Sequence, residues 1–157
     1  MLCLACRTIE NCTGHEAGRQ LLKTLYRKET GEELPEIAVT DRGKPYYPGS
    51  PWHFSISHTK RHAFCVLAKE NVAIDAEELD RKVNPRFPGW VLSPTEKAQY
   101  DAAKDQQKAI LTFWVLKEAA AKLSGKGMQG GFRDTAFSLE DPRVREMDGC
   151  LVAVMTE

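Results

Sequence analysis

The sequence predicts an α+β fold built on antiparallel sheet, and three observations predict it. Short segments at both ends and in the middle alternate or run apolar as strands do, with Asp148-Gly149 set for a hairpin turn between the last two. Two stretches, 16–28 and 105–124, carry apolar residues at helical spacing. The order is strand, helix, strands, then strand, helices, strands, which points to two related halves, 1–70 and 71–157. A chain of 157 residues fits one domain in which two such halves share a core.

Taken in order, residues 1–9 are apolar and suit a first strand. Ala17, Leu21, Leu22 and Leu25 make one face of a helix that Gly31 closes. A short strand is expected within 35–41, followed by the turn Asp41-Arg42-Gly43-Lys44-Pro45. Three strands then read as a meander. In 52–57, Trp52, Phe54 and Ile56 alternate with His53, Ser55 and Ser57; 62–68 is nearly all apolar and therefore central; 72–77 follows the turn at 69–71. Residues 81–92 read as a mobile basic loop. Ser93-Pro94-Thr95-Glu96 is a capping box that opens a helix over 94–103, ahead of the longer one. Strands are expected at 135–140, 144–147 and 150–156.

Composition excludes several classes. With 42% hydrophobic and 28% charged residues the chain can bury an ordinary core. Lys and Arg number 22 against 22 Asp and Glu, so bulk charge does not hold it to nucleic acid or an anionic membrane. No stretch approaches the ~18 apolar residues of a membrane span, and the N-terminus lacks a signal-peptide pattern. Five irregularly spaced cysteines suit a reduced, cytoplasmic protein, and Cys3-x-x-Cys6 has no second pair to complete a metal site.

The chemistry gathers on two stretches. On the helix from Phe113 to Leu123, the face opposite the apolar arc carries Trp114, Lys117, Glu118, Ala121 and Lys122. Glu118 and Lys122 alone would be an i,i+4 pair on a wet surface, worth about 0.2–0.5 kcal/mol. The strand Val72-Ala-Ile-Asp75-Ala-Glu77 changes that weighing, because period two sets Ala73, Asp75 and Glu77 on one face. Adjacent carboxylates repel unless a cation or protons lie between them. Asp75, Glu77 and Glu118 can supply three oxygen ligands to Mg²⁺, while Lys117 and Lys122 neutralise phosphate and Ser57-His58 add hydrogen bonds. His58 and His62 also suit simple local hydrogen bonding.

These residues resemble the 4′-phosphopantetheinyl transferases, specifically the larger type that activates peptide and polyketide synthetases, in a compact form. The likeness rests on Gly43-Lys44-Pro45, Phe54-Ser-Ile-Ser57-His58-Thr59, Val72-Ala-Ile-Asp75-Ala-Glu77, Leu92-Ser-Pro-Thr-Glu96, and Trp114-Val-Leu-Lys117-Glu118-Ala119 with Lys122, Gly125 and Gly127. The resemblance implies two pseudo-twofold α+β halves with the site in the cleft between them. It implies transfer of the phosphopantetheine arm of coenzyme A to a carrier-protein serine, with Mg²⁺, releasing adenosine 3′,5′-bisphosphate. Asp75, Glu77 and Glu118 would bind the metal, and Glu118 or a water it holds would take the serine proton. Lys122 would grip the diphosphate, Lys44-Pro45 would lie along the adenine, and Ser57-His58 would contact coenzyme A phosphate. Ala73 stands where the family usually has glycine, and in the short first half His15, Arg19 and Lys23 are the basic residues available for the 3′-phosphate.

Acidic pairs with lysine also build metal-dependent phosphodiesterases, against which the balanced charge speaks. A non-catalytic binder of coenzyme A or carrier protein is a further alternative, against which Glu118 and Lys122 speak. In the 81–90 loop, Arg81, Lys82, Arg86, Phe87 and Trp90 are types favoured at binding patches, and this loop and the helix beginning at Pro94 are expected to help dock the carrier. A monomer is expected.

Overall fold

The computed structural model describes residues 1–127 and 131–157. The first half runs β1 (Leu2–Thr8), α1 (Gly14–Thr30), β2 (Ala38–Val39), β3 (Pro45–Tyr46), β4 (His53–His58) and β5 (His62–Ala68). The second runs β6 (Val72–Glu78), α2 (Phe87–Val91), α3 (Pro94–Ala102), α4 (Gln106–Ser124), β7 (Val144–Met147) and β8 (Cys150–Thr156). The sheets are β1-β5-β4 and β6-β8-β7, with β2-β3 a small hairpin, and every pairing is antiparallel. Each main sheet places its last strand in the centre, between its first and its penultimate, so the two halves repeat one topology.

The layers follow from the two-residue period. Phe64, Val66 and Ala68 of β5 meet Val72, Ile74 and Ala76 of β6 and Cys150, Val152 and Val154 of β8 in the layer between the sheets. The alternate residues face outward onto helices. Cys65 and Leu67 pack with Leu22, Leu25 and Tyr26 of α1, and Leu151, Ala153 and Met155 pack under Ile110, Phe113 and Leu116 of α4. Both central strands are thus covered on both faces, which is why β5 reads as continuous apolar sequence. Cys3 and Cys6 point to opposite faces of β1 and cannot act as a chelating pair. All five cysteines are unpaired. Among the described residues no helix is long and apolar enough to cross a membrane.

The structure differs from the sequence reading in four places. β6 does not complete a meander with β4 and β5; it pairs in the other sheet with β8, the last strand of the chain. Sequence proximity and a short turn suggested the local partner, but the strands closing the second half supply the ladder. Secondly, Ser55 and Ser57 are buried, not wet. Ser55 Oγ accepts from Ile74 N at 3.1 Å and Ser57 Oγ from Ala76 N at 3.1 Å, so β4 meets β6 through side-chain oxygens. The 81–92 segment contains α2 and is not wholly loop. Finally, 135–140 forms no strand: Phe137 and Leu139 donate their N–H groups to Glu96 and Gln99 of α3 instead of to a sheet.

Candidate active site

The site is built where β6 passes α4. Because Val72, Ile74 and Ala76 fill the inter-sheet layer, Ala73, Asp75 and Glu77 turn to the other face, toward α4. From α4, Lys122 Nζ donates to Ile74 O at 2.9 Å and to Asp75 Oδ1 at 2.8 Å. Ser57 Oγ donates to the same Asp75 oxygen at 3.4 Å. Glu77 accepts from Trp114 Nε1 at 3.2 Å and from the Arg81 guanidinium. Glu118, one turn before Lys122, is partly buried on the same wall.

Burial raises all three of these carboxyls above the ordinary carboxylate range. Burial pushes the Asp75 carboxyl above its ordinary range, with Lys122 pulling the other way. Glu77 is also raised by burial and by the Asp75 charge, and Arg81 opposes both. Burial and then the Asp75 charge raise Glu118. All three therefore stand close enough to feel one another or the same cations. Their oxygens do not lie together within 4.8 Å, because Asp75 is turned to Lys122 and Glu77 to Arg81. The donor set itself is three hard carboxylates whose burial favours neutralisation, and it fits a divalent cation that prefers oxygen.

A cleft of about 510 Å³ opens beside this wall. Lys44, Pro45 and His58 line it from the first half, Glu118 and Lys122 from the second. Lys44 Nζ crosses to the second half, donating to Asn71 Oδ1 at 2.7 Å and Leu123 O at 3.1 Å, where the carbonyl end of α4 attracts a cation. His58 lies over Gly14, where a Cβ would come within 2.3 Å of the ring; glycine there lets α1 close on β4. Gly125, at φ 67°, ends α4 beside the Lys44 stem.

Not every expected residue reaches the cleft. Lys117 does not. Its ammonium is fully buried against Glu96 at 2.6 Å and also donates to Phe132 O and Thr135 Oγ1, so it cannot meet phosphate. One helical step of 100° separates it from Glu118, enough to carry it round to α3. Ser57, Asp75 and Glu77 are not among the residues that line the cleft; Ser57 is joined to it through Asp75, which Lys122 also holds. Lys23 is exposed on α1 away from the lining, whereas His15 and Arg19 do line it. Sequence reasoning missed Arg42, which lines the cleft beside Gly43, and the contacts of Arg81 and Trp114 with Glu77. The basic turn at 41–45 was the available signal for Arg42.

A family profile described as the 4′-phosphopantetheinyl transferase superfamily matches residues 71–149, half of the chain. No curated protein gives a match. The matched segment belongs to an α+β fold with antiparallel sheets and includes Asp75, Glu77, Glu118 and Lys122. The chain belongs to the 4′-phosphopantetheinyl transferase superfamily, whose members use coenzyme A.

Proposed function

We propose that the whole chain, 1–157, works as one domain that transfers the 4′-phosphopantetheine arm of coenzyme A to a serine of an acyl or peptidyl carrier protein. The observation that carries this reading is Lys122, whose ammonium bridges Asp75 and the cleft with Glu118 one turn away. Asp75, Glu77 and Glu118 would hold Mg²⁺, which when bound supplies Lewis-acid stabilisation of a diphosphate. The serine oxygen forms a bond to the phosphorus bearing the pantetheine arm. The bond from that phosphorus to the bridging oxygen breaks, and adenosine 3′,5′-bisphosphate leaves. Glu118, or a water it holds, accepts the serine proton. Lys122 offsets the charge that gathers on the leaving phosphate.

Lys44 and Pro45 flank the nucleotide, and His58 contacts a coenzyme A phosphate. Ser57 acts through Asp75, holding the carboxylate that Lys122 also holds. The 81–92 segment is tied to the site: Phe87 packs edge-on against Trp114 at 4.9 Å, and both Trp114 and Arg81 bind Glu77. Trp90 beside it is 57% exposed, an aromatic anchor of the kind a carrier surface covers.

Incubation with coenzyme A, Mg²⁺ and apo carrier proteins tests the reading by mass spectrometry of the carrier. A covalent gain of one phosphopantetheine is expected. Binding of coenzyme A with no gain would make the chain a binder, and cleavage of nucleic acid would make it a phosphodiesterase. In the same assay Arg86→Glu raises the apparent KM for carrier and spares that for coenzyme A; unchanged constants would remove the docking surface.

A further inference from the structure

The layer between the sheets is apolar until its far end, where it changes character. The inner-facing series of β5 begins with His62, that of β6 ends with Glu78, and that of β8 begins with Cys150, directly opposite Glu78 in the ladder. Three strands from both sheets thus place an imidazole, a carboxylate and a thiol at one point, where the period would otherwise place apolar side chains. His62 Nδ1 is 3.1 Å from Glu78 Oε1 and 3.6 Å from Cys150 Sγ, and the three ligand atoms all lie within 4.8 Å. Zinc bonds of about 2.0–2.1 Å to N and O and about 2.3 Å to S, at tetrahedral angles, require N···O and N···S separations of about 3.3 and 3.6 Å. The two N-centred edges, 3.1 and 3.6 Å, lie close to those separations.

We infer that His62, Glu78 and Cys150 form a second metal site, for zinc or a similar borderline cation, distinct from the oxygen site at Asp75, Glu77 and Glu118. The ligand types separate them: a thiolate and an imidazole select zinc over Mg²⁺. So does the fold, since Glu78 points to the opposite face of β6 from Glu77. On binding, the Cys150 thiol releases its proton to solvent, and the His62 proton that Nδ1 donates to Glu78 is exchanged through solvent for one on Nε2, which frees the Nδ1 lone pair for the metal. The outer shell is already in place. Arg61 donates to the other Glu78 oxygen at 2.8 Å and also reaches Asp80 at 2.9 Å, while Thr59 Oγ1 and Arg61 N donate to Oε1. Water completes the fourth position. The site joins β5 of one sheet to β6 and β8 of the other, so its role is to pin the two halves together.

Cobalt(II) titrated into chelator-treated protein is the probe, because thiolate ligation gives a sulfur-to-cobalt charge-transfer band and a tetrahedral site gives intense d–d bands. One equivalent is expected to produce both, with zinc displacing it and raising the melting temperature. Asp75→Asn keeps the spectrum. Cys150→Ser loses the charge-transfer band, and His62→Gln weakens binding by about 10- to 100-fold or more, at least the cost of losing an outer-shell partner. Circular dichroism establishes that each variant is folded. Absence of the thiolate band in the wild type, or its persistence in Cys150→Ser, would overturn the assignment and leave a hydrogen-bonded cluster only.

Discussion

Lys122 separates two readings of α4, a wet surface pair and a site facing phosphate. As half of a wet Glu118–Lys122 pair, its loss would cost a few tenths of a kcal/mol of stability, roughly 0.2–0.5. In the structure it leaves Glu118 for Asp75 and Ile74 O, with about a third of its side chain exposed toward the cleft. Lys122→Ala is therefore expected to lower kcat/KM by about 10²–10³, and Lys122→Arg to recover little, since a planar fork does not replace a compact ammonium. Near-normal turnover in the alanine variant would return this face to solvent. The raised carboxyls carry a second expectation. A carboxyl raised in the folded state binds its proton more tightly there than when unfolded. Asp75, Glu77 and Glu118 thus cost the metal-free fold stability as pH climbs from the ordinary carboxylate range through their raised values. Mg²⁺ must displace those protons, so its affinity should rise with pH through the same window. Calorimetry in buffers of different ionisation enthalpy reads the released protons, and pH-independent affinity would contradict the expectation.

Helices and strands show where sequence patterns suffice and where they stop. The capping box at Ser93 and Glu96 is present as predicted, with Ser93 N donating to Glu96 Oε1 at 2.9 Å. Its glutamate has a further use that no local pattern announces. It binds Lys117, Thr135 and the Phe137 N–H, and so anchors the segment expected to be a strand at 135–140. Burial favours the protonated acid, but hydrogen bonds from Lys117, Ser93 and Thr135 outweigh it and hold Glu96 below the usual carboxylate range. The helical wheel placed Lys117 with Glu118 because it sees charge, not the acid waiting on α3. Glu96→Gln leaves a buried ammonium without its countercharge and is expected to cost about 3–5 kcal/mol, while Glu96→Leu with Lys117→Met should cost much less. Urea unfolding of the single and double variants decides it; equal losses would mean the pair does not act as a unit.

Across the whole molecule, the architecture was legible wherever apolar period and turn chemistry were strong. The strands at 62–68, 72–77 and 150–156, both long helices and the Asp148-Gly149 turn stand where the residues put them. Partnering was not legible: nothing local in 72–77 says that its ladder lies in 150–156. The seam between the halves was hidden for the same reason, since serines alternating with Phe54 and Ile56 look like a solvent face. Ser55→Ala and Ser57→Ala each leave a buried β6 N–H without an acceptor and should each cost about 1–3 kcal/mol. Losses near zero by urea unfolding would mean that the sheets are held by the apolar layer alone. Of the cleft, Glu118, Lys122 and His58 were readable from the residues themselves and Lys44 and Pro45 only through the family resemblance, whereas Arg42 and the Arg81 contact with Glu77 needed the folded chain.

The central claim is that three carboxylates from β6 and α4 form the metal centre of phosphopantetheinyl transfer. It is tested most directly by the rate of carrier modification across a Mg²⁺ titration, in the wild type and in Asp75→Ala. Two remaining carboxylates are too few to hold a cation that binds weakly unless several hard ligands converge. The account predicts that the variant stays far below wild-type turnover at ordinary Mg²⁺ while its circular dichroism is unchanged. Wild-type turnover by Asp75→Ala at ordinary Mg²⁺ would contradict it.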